Sequence, residues 1–320
     1  MLEWHLMRIV SLLPSATEIL FALGLAREVV GVSHECDFPP QAPSKPVVIH
    51  SRLPRGASPA EIDRLVREYV SRGESLYAVD AQKLEELNPD LIITQDLCHV
   101  CAASPDDLAT VLTRFDRRPE VLCLNPQDLR DVWRDILLVG EATCRGTQAE
   151  RLVDEIGQRQ GALEQQLDFS RRRPRVAFLE WLEPIYAGGH WVPEMIRCVG
   201  GEDALGSVGK ASFRVPLQEV VEAEPEIVLI APCGYTAGQA RDEYESLELP
   251  GQWNAIPAVR NNQVYALEAN SYFSRPGPRL VTGMEIFAKV IQPSVSVSRE
   301  AEKAIMQIPP RKTAAYTASA

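Results

Sequence analysis

Thr147-Gln148-Ala149-Glu150-Arg151-Leu152-Val153-Asp154-Glu155-Ile156-Gly157-Gln158-Arg159-Gln160-Gly161-Ala162-Leu163-Glu164-Gln165-Gln166-Leu167-Asp168-Phe169-Ser170-Arg171-Arg172-Arg173 reads as one long helix between two similar halves of the chain. Thr147 and Glu150 have capping-box spacing, the hydroxyl taking a first-turn N–H while the glutamate reaches back to the cap. Leu152, Val153, Ile156, Leu163 and Leu167 recur near helical spacing as a narrow apolar stripe, so only one face is buried. Arg171 to Arg173 suit the negative end of the helix dipole, and Pro174 stops the run. A helix of about 22 residues spans roughly 33 Å, enough to cross a domain of this size. The boundaries expected from this reading are a lobe over 8–146, the helix over 147–173, a second lobe over 174–292 and a tail over 293–320.

Both flanks read as α/β. Arg8-Ile9-Val10-Ser11-Leu12-Leu13 is a buried strand, and Pro14-Ser15-Ala16-Thr17-Glu18 opens a helix that Ser15 or Thr17 caps. A second strand, Val29-Val30-Gly31-Val32, delivers Ser33-His34-Glu35-Cys36-Asp37-Phe38-Pro39-Pro40, a polar loop at a strand end, where parallel sheets place ligands. Val79 to Asp90 is a short helix stopped by Pro89. The strand Leu91-Ile92-Ile93-Thr94 then presents Gln95-Asp96-Leu97-Cys98-His99-Val100-Cys101. After the long helix the pattern restarts at Arg175-Val176-Ala177-Phe178-Leu179, with Glu180-Trp181-Leu182-Glu183-Pro184 at its end. Val215 to Ile230 aligns without gaps on Val79 to Thr94. Repetition at this distance means duplicated lobes, since a solenoid period would be about 20–50 residues. The fold class expected is two α/β lobes with central parallel sheets joined by one long α-helix. From Pro293 onward Ser, Ala and Pro dominate, and the final residues of this tail are expected to fray.

The 320 residues, 45% of them hydrophobic, suffice for two cores, and the net charge of −11 argues against a nucleic-acid partner. No stretch has the roughly 18 apolar residues of a bilayer span, so membrane insertion is not expected. Met1 to Val10 holds Glu3, His5 and Arg8 and no apolar leader run, and the seven cysteines are scattered. These features place the chain in the cytoplasm, or in the periplasm if the true start lies upstream.

The opening Arg8 to Glu18, the following Gly31-Val32-Ser33, the Asn88-Pro89-Asp90-Leu91-Ile92-Ile93 strand entry and the long helix together resemble the helical-backbone metal-receptor superfamily, the class III substrate-binding proteins. Within it the likeness is to cobalamin-binding proteins of vitamin uptake systems, over roughly residues 8–292. The resemblance implies a small-molecule metal chelate, cobalamin or a related corrinoid, held in a cleft between the lobes, with no catalytic cofactor. Loop polar groups and aromatic side chains would grip the macrocycle, because flat rings give contact area at low entropy cost. Carried onto this chain, the ligand-binding candidates are Pro14, Ser15, Glu35, Asp37, Phe38, Gln95, Cys98, His99, Trp181, Phe213, Tyr272, Phe273 and Arg275. Glu35 departs from the tyrosine that cobalamin binders tend to carry there, and Trp181 equally suits a core tryptophan.

A neutral imidazole ligates cobalt, which makes His34, His99 and His190 candidate axial ligands. Cys98-His99-Val100-Cys101 has the spacing of a soft-metal or dithiol site, but a structural zinc would need two further ligands. No nucleophile, base and orienter form a motif, so a binding protein and not an enzyme is expected. The alternatives are an iron-chelate binder, for which Arg275 and Arg279 are the obvious cations, and a chelatase-like enzyme of cobalt or tetrapyrrole metabolism. In transporter-fed relatives each lobe meets permease arginines with a glutamate. Gln82 and Gln218 stand at the matching positions here, which implies weakened docking and an intracellular carrier.

Overall fold

The computed structural model describes residues 6–54, 56–57, 59–95 and 105–310, with the side chains of 59 and 105–107 left aside. The chain divides into two units. One holds residues up to Ala162 together with Arg275–Val281; the other holds Leu163–Ser274 and everything from Thr282.

The first unit runs β1 (Ile9–Ser11), α1 (Pro14–Ala22), β2 (Val29–Ser33), β3 (Val47–Ser51), α2 (Pro59–Ser71), β4 (Tyr77–Val79), α3 (Ala81–Leu87), β5 (Leu91–Gln95), α4 (Pro105–Leu112), β6 (Glu120–Leu124), α5 (Leu129–Ala142) and α6 (Gly146–Glu164). Its sheet has the order β4-β3-β2-β1-β5-β6, parallel except where β4 pairs antiparallel with β3. Alternation along the central strands feeds two cores. Ile9, Leu91 and Ile93 point into one with α1, α5 and α6, while Val10 and Ile92 point into the other with Leu84 and Leu108. Strand order reverses between β1 and β5, which makes the carboxyl ends of those strands the switch point where such sheets bind ligands.

The second unit runs β7 (Arg175–Leu182), β8 (Ile185–Ala187), α7 (Val192–Cys198), β9 (Glu202–Asp203), β10 (Phe213–Arg214), α8 (Leu217–Glu222), β11 (Ile227–Ile230), α9 (Ala237–Ser246), α10 (Pro257–Arg260), β12 (Val264–Leu267), α11 (Ala269–Tyr272), α12 (Leu280–Ile291), α13 (Arg299–Lys303) and β13 (Ile305–Gln307). Its sheet order is β10-β8-β7-β11-β12-β13, with the switch between β7 and β11. The central pairs are parallel, as expected, and antiparallel strands beside them make both sheets mixed. β7 turns straight back into β8 at Glu183-Pro184, and β10 and β13 also pair antiparallel.

The internal repeat holds at atomic detail. Asn88 and Glu224, matched residues, end α3 and follow α8 in left-handed conformation, with φ of 38° and 43°. Next, the Asp90 carboxylate accepts the Arg8 N–H at 2.9 Å, and the Glu226 carboxylate accepts the Arg175 N–H at 3.1 Å. The same two contacts thus fix the start of each central strand.

Three expectations are corrected. The long helix ends at Glu164 and not at Arg173, because Asp168 turns its side chain onto the Ser170 N–H and hydroxyl while Arg172 and Arg175 pair with Glu226 and Glu224. It begins at Gly146, so Thr147 lies inside the first turn; there Gly140 of α5 meets α6 so closely that a Cβ would lie 2.4 Å from Ala149 Cβ. The segment after Pro293 is not a bare tail: β13 extends the sheet beside β12, and Val295, Ala301 and Ile308 are buried, while the final residues, expected to fray, lie outside the described residues. Among the described residues no helix is long and apolar enough to cross a membrane.

Asp135 on α5 is only 3% exposed, and burial pushes its carboxyl up to about 7. A folded-state value above the unfolded one contributes stability at low pH that is lost as pH rises toward 7. Asp135→Asn should therefore match the native chain near pH 4 and exceed it at pH 8 by about 2–4 kcal/mol in urea unfolding. A variant less stable than the native chain at pH 8 would show that the carboxylate is satisfied in the fold.

Candidate functional site

In the first unit the predicted residues come together at the carboxyl ends of β1, β2 and β5. Leu13, two residues past β1, is extended, and Pro14 starts α1 at a position where its missing N–H costs nothing. Ser15 and Thr17 do not cap this helix. Ser15 is buried, and Thr17 Oγ1 lies within hydrogen-bonding distance of Ser11 Oγ, 2.8 Å, and Cys36 Sγ, 3.1 Å. These contacts tie the β1 exit to the loop after β2, and burial holds the Cys36 thiol at about 11, an unreactive group. Gln95 ends β5 at the switch point and is buried.

The loop after β2 presents Glu35, Asp37 and Phe38, all exposed. Beneath them lies an ion cluster that the sequence pattern did not reveal. Arg275 is 8% exposed; its guanidinium binds the Asp37 carboxylate, donates to Glu35 O at 3.2 Å and stands 3.6 Å from Glu18 Oε1. Arg279 forks onto the same Glu18 carboxylate at 2.9 and 2.5 Å, and its guanidinium lies 4.0 Å from the centroid of the Phe38 ring. Burial raises Glu18 against the pull of both arginines. One buried carboxylate thereby clasps the 275–281 segment to this unit, whereas the flanking residues 274 and 282 belong to the other.

His34 is held at the edge of this loop, with Nδ1 3.1 Å from Ile49 O and its ring near His50 and Tyr77. Cys98, His99 and Cys101 lie outside the described residues.

In the second unit Trp181 lies near the carboxyl end of β7, half-buried, edge-on to Tyr235 with centroids 5.9 Å apart. Tyr235 follows β11 across the switch point; burial and then the Glu243 carboxylate push its phenol up to about 12. Tyr235, five residues past the end of the repeat at Ile230, was not among the residues expected. Phe213 on β10 is exposed at 38%, and Tyr272 is half-buried at the end of α11. Phe273 is core: it stacks on Phe287 at 4.7 Å, meets Phe178 edge-on, and its carbonyl accepts the Trp191 indole N–H. His190 stacks on Trp191 and its Nδ1 is shut off from solvent, which removes that nitrogen from any exposed ligand. Burial lowers the His190 pKa, keeping the ring neutral. Among the described residues no three His, Cys, Asp or Glu side chains group to hold a metal ion.

A model of the periplasmic binding protein family matches residues 9–270. The chain belongs to this family. As a periplasmic binding protein it is a non-enzymatic receptor, which sets the chelatase-like alternative aside. It is 25% identical over 286 residues to a vitamin B12-binding protein of Vibrio cholerae, covering 87% of this chain and 86% of that one. It is 25% identical over 293 residues to an uncharacterised ABC transporter substrate-binding lipoprotein of Bacillus subtilis, covering 89% and 80%. Its fold is similar to the periplasmic vitamin B12 binding protein BtuF of Vibrio cholerae, with a TM-score of 0.65, 22% identity and 89% and 96% coverage. It is also similar to a periplasmic heme binding protein of Pseudomonas aeruginosa, with a TM-score of 0.72, 17% identity and 95% and 99% coverage. These relatives overturn the cytoplasmic assignment, since they are named as periplasmic or as a lipoprotein. The scattered spacing of the seven cysteines carried that expectation, and spacing of this kind does not fix the compartment.

Glu18→Gln leaves two guanidiniums with one carboxylate between them. It should destabilise the protein by about 3–5 kcal/mol in chemical denaturation, the range for removing one partner of a buried ion pair. A loss under about 1 kcal/mol would mean that the cluster is hydrated rather than buried.

Proposed function

We propose that the chain binds one cobalamin-like corrinoid as the substrate-binding component of an ABC transporter, outside the cytoplasmic membrane, each unit offering the loops at the carboxyl ends of its parallel strands. The observation that carries the corrinoid reading over an iron chelate or haem is the state of Arg275 and Arg279. Both guanidiniums are engaged by Glu18 and Asp37 within the first unit, so neither is presented to an anionic ligand. Ferric chelates and haem carry several carboxylates or other anionic groups, whereas a corrin ring is edged mainly with neutral amides. The aromatic pair Trp181 and Tyr235 and the exposed Phe38 suit the flat face of such a ring. The Vibrio cholerae relative named for vitamin B12 supports the same choice.

Calorimetric and visible-absorption titrations should give one cobalamin per chain, with haemin and a ferric siderophore at least about tenfold weaker. Haemin binding more tightly than cobalamin would overturn the reading. Trp181→Ala should weaken cobalamin binding by about 1–3 kcal/mol if the indole packs on the ring, and an unchanged affinity would remove Trp181 from the site.

The weakened permease docking implied by Gln82 and Gln218 is revised. Gln82 Nε2 donates to Glu86 at 2.8 Å on α3, and Gln218 Nε2 donates to Glu222 at 2.8 Å on α8. Each exposed glutamine thus leans on an acid one turn along, at matching positions of the repeat. Glu86 and Glu222 are proposed as the docking acids. Reconstitution with a cobalamin permease should show docking that falls on Glu86→Gln with Glu222→Gln; docking that survives both changes would exclude them.

A further inference from the structure

We infer that Arg214 recognises a single anionic group at the edge of the bound macrocycle, the phosphodiester of a complete corrinoid, and so sets preference among chelates that share the ring. The inference rests on the corrinoid reading above and names a residue that reading does not use. The register places Trp181 of β7 opposite Tyr186 of β8, and Tyr186 opposite Arg214 of β10. Directly paired residues share a sheet face with Cβ atoms about 5 Å apart, so the three side chains form one cross-strand row. Leu179, Ala187 and Phe213 occupy the next row and project to the other face, where Leu179 and Ala187 enter the core. Tyr235 extends the first row beyond Trp181. The result is an aromatic ledge at the carboxyl end of β7, with a guanidinium at its far end.

Arg214 differs from its neighbours in charge state of the surroundings. Arg172, Arg175 and Arg241 of the same unit each hold a carboxylate, whereas Arg214 is exposed and makes no ion pair among the described residues. Glu183, at the turn of the hairpin, acts on Glu243 behind Tyr235, at the opposite end of the row. Two strand spacings separate Trp181 from Arg214, about 10 Å, the scale of a tetrapyrrole-sized ring lying on the aromatic groups with its edge at the guanidinium. A planar fork of N–H donors matches a phosphodiester or a carboxylate, and a ring covering the ledge would exclude water from that contact. One unpaired guanidinium suits a ligand with one anionic group.

The test uses the full chain, native and with Arg214→Gln or Arg214→Lys, titrated with cobalamin, with cobinamide, which keeps the corrin ring but lacks the phosphodiester, and with haemin, whose anions are carboxylates. The native chain should prefer cobalamin to cobinamide by about tenfold or more. Arg214→Gln should cut cobalamin affinity by about 10–100-fold and cobinamide affinity by less than about twofold, with Arg214→Lys between. Unchanged melting temperatures would confirm that the exposed substitutions spare the fold. Equal cobalamin affinity in native and Arg214→Gln chains would overturn the role of Arg214 while leaving the corrinoid reading in place. Tight haemin binding that depends on Arg214, with no corrinoid binding, would overturn the corrinoid reading and the phosphodiester together, although the arginine would still be an anion site. Failure of the native chain to bind any of the three would take both down.

Discussion

In each unit the central parallel pair, β1 with β5 and β7 with β11, is covered on both faces, so its backbone polar groups must satisfy one another along the ladder. That demand sets the register, and the register sets where the loops emerge. Asp90 and Glu226 anchor the incoming strands at one end, and strand order reverses across the same pairs at the other. The candidate binding residues Pro14, Phe38, Gln95, Trp181 and Tyr235 all follow from that reversal, since each sits where a strand of the central sheet stops.

The Glu18 clasp adds a second constraint. A carboxylate this deeply buried is costly unless its charge is shared, and Arg275 and Arg279 arrive from a segment far along the chain to share it. The clasp fixes that segment to the first unit and engages both guanidiniums there. One ion cluster thus orders the loop carrying Asp37 and Phe38, and the proposed choice of a corrinoid rests on the same contacts.

Much of this was legible in the residues. The gap-free match of Val79–Thr94 with Val215–Ile230 identified the duplication, and the left-handed Asn88 and Glu224 show that it extends to backbone conformation. What was missed depended on contacts distant in sequence. The arginines up to Arg173 suit a helix end, but Glu226 draws Arg172 away and the helix stops at Glu164. Phe273 looked like a ligand aromatic, and only its stacking on Phe287 reveals a core residue. Tyr235 lies five residues beyond Ile230, the end of the repeat, in the loop after the matched strand. The hairpin at Glu183-Pro184 was also present in the sequence, as a proline turn between two short apolar runs, yet it was taken for a strand end. Compartment was read from thiols and a chain start, neither of which bears on how the fold works.

The central proposal is that the corrinoid is received by loops at the carboxyl ends of the parallel strands. Hydrogen–deuterium exchange of the full chain, with and without saturating cobalamin, tests it most directly. Protection confined to residues 33–38, 180–187, 213–214 and 231–236, with α5 and α6 unchanged, is the expected result. Exchange that is unaltered in those loops, or protection centred on the helical faces away from them, would contradict the account.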